Sequence, residues 1–166
     1  MPTRVYKSTD PGAPTLNGQV GSLIRVLRAC LVDGFGSLPP LGWSMPYTDG
    51  NNPPQRAHFR QAPRVDWPTC DLQVDDNVTS TDSGWDGLST YIARIAGWQE
   101  ATGLGVGSGR FPADGSSSPV PKGQDTTTNR PWAIVGTERA FLMWCGDLDS
   151  RGNGYVFFFG DLIPYV

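Results

Sequence analysis

Apolar residues fall at Val20, Leu23, Ile24, Leu27 and Leu31, a spacing of three and four that lines one face of a helix. This stripe predicts an amphipathic helix over 19–33, with Arg25 and Arg28 off the apolar face. Asn17 or Ser22 is placed to cap its start and Gly34 to stop it. Elsewhere the rhythm shortens to two. "RVYKST", "RAHFRQA" and "CDLQVDD" read as short strands, and "LSTYIARIAGWQE" as a longer one rich in β-formers. "RPWAIVGTERAFLMWCGD" reads as strand, tight turn over 136–138, strand, and "GYVFFFGDL" adds a third, so a meander closes the chain.

Between these lie stretches without periodicity. Residues 34–54 are dense in Pro and Gly and predict irregular chain with short extended pieces. Residues 101–129, almost all Gly, Ser, Thr and Pro, predict a long surface loop. The expected layout is one domain over 1–166. It comprises an extended N-terminal arm with the first strand (1–18), the helix (19–33), strands and loops (42–100), the long loop (101–129) and a β-meander (130–166). The fold class expected is mainly β with one amphipathic helix, an antiparallel, sandwich-like body.

Composition sharpens this picture. Six Trp and few charged residues speak against an unfolded chain, and 21 Gly with 15 Pro suit many turns. The formal charge is −3 and only two Lys occur, Lys7 and Lys122, so no basic surface for nucleic acid is expected. No signal-peptide pattern opens the sequence and no apolar run approaches a membrane span, which predicts a soluble chain made in the cytosol. Cys30, Cys70 and Cys145 stand far apart without a C-x-x-C pair, and read as small core residues rather than a zinc site. Asn77-Val78-Thr79 fits a glycosylation triplet of a kind that arises often by chance.

Candidate chemistry is sparse. In "DLDSRGNGYVFFFGD", Asp147, Asp149 and Gly152 match positions 1, 3 and 6 of a calcium loop. Arg151 stands at position 5 and Phe158 at position 12, where ligands are needed, so the stretch reads as a turn. "GLGVGSG" misses the G-x-G-x-x-G spacing and no helix follows it. His58 is the single histidine and lies in a predicted strand without a nucleophile motif. Fourteen Asp against two Glu, mostly in Gly-rich loops, suit turns better than acid–base work. No enzyme activity, metal or cofactor is therefore expected. Trp43, Trp67, Trp85 and Trp98 could line a sugar platform, though core packing and interface anchoring use Trp as well. In the phenylalanine run, alternation puts Val156 and Phe158 on one face and Phe157 and Phe159 on the other. A strand apolar on both faces belongs inside a sandwich or at a contact with another chain.

"VYKSTDPGAPTLNGQVGSLIRVLRACLVDGFGSLPPLGWSMPY" and "RPWAIVGTERAFLMW", with "GDL" near the end, resemble a group of virion-associated structural proteins from tailed bacteriophages. That group shows V-Y-x-S-T-D-x-G-A-P-x-L, a G-S-L-I helix, a G-W-(T/S)-x-P segment and an R-P-W-x-(L/I)-V strand pair. The resemblance covers about two thirds of the chain, leaves 101–129 unplaced, and departs at "DLQVDDN", which keeps the D-D of the group's aromatic-flanked L-R-V-D-D as Asp75 and Asp76 but has Gln73 in place of its Arg. It implies a non-enzymatic virion component, assembled in the host bacterial cytoplasm, and carries over no catalytic residue. A capsid-associated accessory or decoration (cement) protein is expected first, and a neck, tail or baseplate ring component second. A carbohydrate-binding host-adsorption module is the rival of another class. Expected partners are the major capsid protein or tail and neck proteins, and further copies of the chain, with no nucleic acid or membrane. Expected assembly contacts are Val5, Tyr6, Pro14, Leu16, Phe111, Phe157 and Phe159, with 1–18 and 101–129 making contacts and 132–163 forming a rigid base.

Overall fold

The computed structural model describes residues 2–63, 65, 68–77, 81–82, 90–146 and 154–161. The elements in chain order begin with β1 (Arg4–Lys7), α1 (Ser22–Arg28), β2 (Ser44–Thr48), β3 (Arg56–Arg60) and β4 (Asp71–Asp75). There follow β5 (Thr81–Asp82), β6 (Thr90–Trp98), β7 (Glu100–Gly103) and β8 (Val106–Ser108). The last are β9 (Ser118–Gly123), β10 (Trp132–Gly136), β11 (Ala140–Cys145) and β12 (Tyr155–Gly160). The protein is mainly β, with one helix among the described residues and antiparallel sheets in a sandwich-like body, as the alternation predicts.

One sheet has four strands in the order β1-β10-β11-β12. The second runs β2-β3-β4-β6-β5, with β9 also paired to β6, and β7-β8 form a separate hairpin. The meander of β10, β11 and β12 thus takes the first strand of the chain onto its edge. Both inner faces and the helix share one core. Tyr6, Ile134, Phe141 and Met143 come from the first sheet, Phe59, Leu72, Val74 and Val120 from the second, and Leu23, Ile24, Leu27 and Leu31 from the helical segment. Each large side chain sealed there contributes about 1.5–3 kcal/mol of transfer free energy.

Helix α1 continues through a π-helical turn over Ala29–Asp33, and Gly34, at φ 79°, ends it. Val20 precedes the helix and is half-buried, whereas Val26 joins the buried face. The start is capped differently from the expectation. Neither Asn17 nor Ser22 caps it; the Asp76 carboxylate accepts the amides of Leu23 at 2.8 Å and Ile24 at 3.4 Å. Ser22 instead donates its hydroxyl to the Asn17 carbonyl. A carboxylate suits this place because the first amides of a helix lack partners and carry partial positive charge.

Two expectations about loops are corrected. The N-terminal segment is no free arm: β1 pairs with β10, Leu16 bridges to Arg130, and the Tyr6 hydroxyl donates to the Pro39 carbonyl at 2.7 Å. Residues 101–129 are not one long loop either, because β7 and β8 make a hairpin and β9 adds to β6. Composition misleads there, since β9 is "SPVPKG", whose prolines suit the edge of a sheet.

Candidate functional site

The register of the four-stranded sheet sorts its side chains into two faces. Tyr6, Ile134, Met143 and Phe157 pair successively across the strands and point into the core. The neighbouring row, Val5, Val135, Leu142 and Phe158, pairs in the same way and points outward. A second outward row is Lys7, Ala133, Trp144 and Val156. Exposure of Val5 is 52%, Phe158 44%, Val156 53% and Trp144 37%, so these apolar groups meet solvent rather than a second layer. One unbroken apolar row therefore crosses all four strands, three inter-strand spacings or about 14 Å. Lys7 at the margin is the one charge in these two rows.

The row ends at β12, the edge strand of its sheet among the described residues. Beside that edge lies an apolar cleft of about 360 Å³, lined by Gly97, Trp98, Phe111, Phe158 and Phe159. Phe111 stands 75% exposed at its rim, held by backbone bonds of 2.8 Å in both directions with Gly97. Gly97 lets the strands approach closely, since a Cβ there would lie 3.3 Å from the Phe159 ring.

The expected contact residues divide accordingly. Val5 and Phe111 are exposed, while Phe159 and Pro14 are half-buried. Tyr6, Leu16 and Phe157 sit in the core and are not available to a partner: alternation from Val5 and Phe158 sends Tyr6 and Phe157 inward, and Leu16 is buried where it bridges to Arg130. Val135, Leu142, Trp144 and Val156 are outward-facing residues absent from the expected set. The alternation of β10 and β11 in the sequence could have found them, given which face the helix covers.

The expected sugar platform loses two of its members. Trp43 and Trp98 are buried, with their indole N–H groups donating to the Thr137 carbonyl at 3.0 Å and to Gln73 Oε1 at 2.9 Å. Trp67 and Trp85 lie outside the described residues, as do the Asp147 loop and most of the Asn77 triplet. Among the described residues no group of three or more His, Cys, Asp or Glu could hold a metal ion. No helix among them is long and apolar enough to cross a membrane.

His58 is buried in β3 beneath the β7-β8 hairpin. Its Nε2 accepts the Gly105 amide at 3.1 Å, which engages the lone pair a general base would use. The proton then sits on Nδ1, which is buried with no partner among the described residues. Burial lowers its pKa; Asp71 and Asp75 nearby oppose that effect, and Arg56 and Arg60 add to it. The same hairpin is anchored by Arg60, which ion-pairs with Asp71 at 2.9 Å and donates to the Ala101 carbonyl at 2.7 Å.

A second buried polar centre joins Lys122 of β9 to Asp76, directly after β4. Both side chains are fully enclosed and their charged atoms are in contact. Asp76 is the residue that caps α1, so three elements meet at one carboxylate. Sequence reading missed this pair, because its members lie 46 residues apart and neither is patterned.

Comparison of the chain with protein-family models, with curated proteins and with solved structures found no match.

Proposed function

We propose that the chain is a non-enzymatic structural subunit of a bacteriophage particle, seated on its neighbour through the outer face of the β1-β10-β11-β12 sheet. The observation that carries this reading is the unbroken apolar row of Val5, Val135, Leu142 and Phe158. Isolated apolar residues on a surface need no explanation, but a contiguous band over a whole sheet marks a contact. Trp144 beside it is of the residue type that anchors interfaces. The sequence resemblance supplies the setting, a virion. Within it, a capsid-associated accessory or decoration protein comes first and a neck, tail or baseplate ring second. The burial of Trp43 and Trp98 weighs against the glycan-binding rival.

The test is quantitative mass spectrometry of purified particles, with the major capsid protein as internal standard. Several hundred copies support the decoration reading, and about six to twelve support a ring. Absence from particles rejects the virion reading. A Leu142→Glu variant that folds normally is expected to drop out of particles, because a buried carboxylate without a partner costs several kcal/mol at a contact. Undiminished incorporation would show that this face is not the seat.

A further inference from the structure

The Lys122–Asp76 centre has the arrangement of a condensation site. Both side chains are 0% exposed, and Lys122 Nζ lies against Asp76 Oδ1. Nζ also donates to the Gln19 carbonyl at 2.6 Å, which fixes the amine from its other side. The carboxyl group is held through Oδ2 by the Leu23 and Ile24 amides. The Asp76 backbone is fixed too, its N–H donating to the Gln55 carbonyl at 2.7 Å and its C=O accepting the Gly21 amide at 3.0 Å. Close packing seals the site, since a Cβ at Gly123, next to Lys122, would lie 2.6 Å from the Gly18 nitrogen.

An ion pair in such a place is costly to desolvate, and apolar residues of equal volume commonly do as well. Burial raises the Asp76 pKa and lowers that of Lys122. Both shifts favour the uncharged amine and acid, and those are the forms that can react: an ammonium has no lone pair, and a carboxylate repels a nucleophile. Well-oriented intramolecular reactions reach effective molarities of about 10⁵–10⁸ M. The two amides at Oδ2 stand where charge would develop.

We propose that Lys122 and Asp76 join in an isopeptide bond that the folded chain forms on itself. The Nζ lone pair adds to Cγ of the protonated Asp76, and the carbonyl electrons move to Oδ2, where the Leu23 and Ile24 amides hold the negative charge. The Oδ1 hydroxyl then leaves as water, taking one of the two Nζ protons, and the carbonyl re-forms. The amide N–H that remains donates to the Gln19 carbonyl. Amine and acid give amide and water; nothing is oxidised or reduced, and no co-reactant is needed. The bond would tie the end of β4 and the start of α1 covalently to β9. It does not rest on the virion reading, and either can fail without the other.

The experiment is the intact mass of the full-length chain under denaturing conditions, followed by proteolytic mapping. The expected mass is one water below that of the sequence, with a branched peptide joining Lys122 to Asp76. Lys122→Arg is expected to restore the full mass. Asp76→Asn is expected to keep the branched peptide while releasing ammonia in place of water. A chain that keeps its full sequence mass after prolonged incubation while folded overturns the proposal. So does a lost water that maps to an Asp-Gly succinimide, or that persists in Lys122→Arg. The wild-type measurement decides the matter even where a variant does not fold.

Discussion

Single residues hold this fold at a few enclosed polar points, and Arg139 is the clearest. Its guanidinium ion-pairs with Asp161 and donates to the carbonyls of Ala62 at 2.5 Å and Pro68 at 3.3 Å. Arg139→Met leaves Asp161 nearly buried without its counter-charge, so a loss of about 3–5 kcal/mol is expected, read as a lower urea midpoint at unchanged slope. His58 gives a pH dependence of defined sign. Burial depresses its folded pKa below the unfolded value of about 6.5. Above that value both states are neutral and its contribution is fully present. As pH falls below it, the unfolded chain takes up a proton that the folded chain refuses, and stability declines toward the folded pKa. The slope from this group is at most about 1.4 kcal/mol per pH unit. Urea titrations at pH 7 and pH 5 should differ more for the wild type than for His58→Gln; equal differences would remove His58 as the source.

Elements are positioned by contacts far from them in sequence. The start of α1 is set by Gly21, at φ 75°, where a Cβ would stand 2.8 Å from the Pro54 carbonyl oxygen. Gly21→Ala therefore meets both a left-handed backbone penalty of about 1–2 kcal/mol and a clash with backbone. A melting temperature lower by several degrees is expected in calorimetry, and an unchanged value would mean that the helix start can shift. The strands were legible for a simpler reason. Alternation fixes which residues of β10, β11 and β12 share a face, and the structure keeps that grouping. What alternation left open was which face would be covered. Phe157 went into the core and Phe158 to the surface through the placement of the helix and the second sheet. The 101–129 segment failed as a prediction because its Gly and Pro describe local freedom, whereas β9 owes its place to pairing with β6.

At the scale of the whole molecule, the core encloses Cys30 and Cys145 and leaves Cys70 half-buried, all as free thiols. Burial pushes Cys145 up to about 12 and Cys30 upward as well, so neither forms thiolate near neutral pH. A thiol reagent is expected to find only Cys70 in the native chain, and slowly, because its pKa is also raised by burial. Three thiols should react in denaturant. Three reacting natively at one rate would show that the core opens as readily as Cys70 is reached. The same enclosure accounts for the asymmetry of the molecule. The helix and both inner faces use one core, and the apolar outer face of the four-stranded sheet is left in solvent among the described residues.

The sequence by itself determined the class of the fold, the one helix and the two-faced strands, because each follows from periodicity along a short stretch of chain. It also carried the apolar character of β12 on both sides. The tertiary structure alone decided that Tyr6 and Leu16 belong to the core and not to an arm, since β1 pairs with a strand about 130 residues away. It alone brought Asp76 to the helix start and Lys122 to Asp76. A carboxylate can cap a helix or meet an amine from any distance along the chain, so no local pattern encodes either meeting.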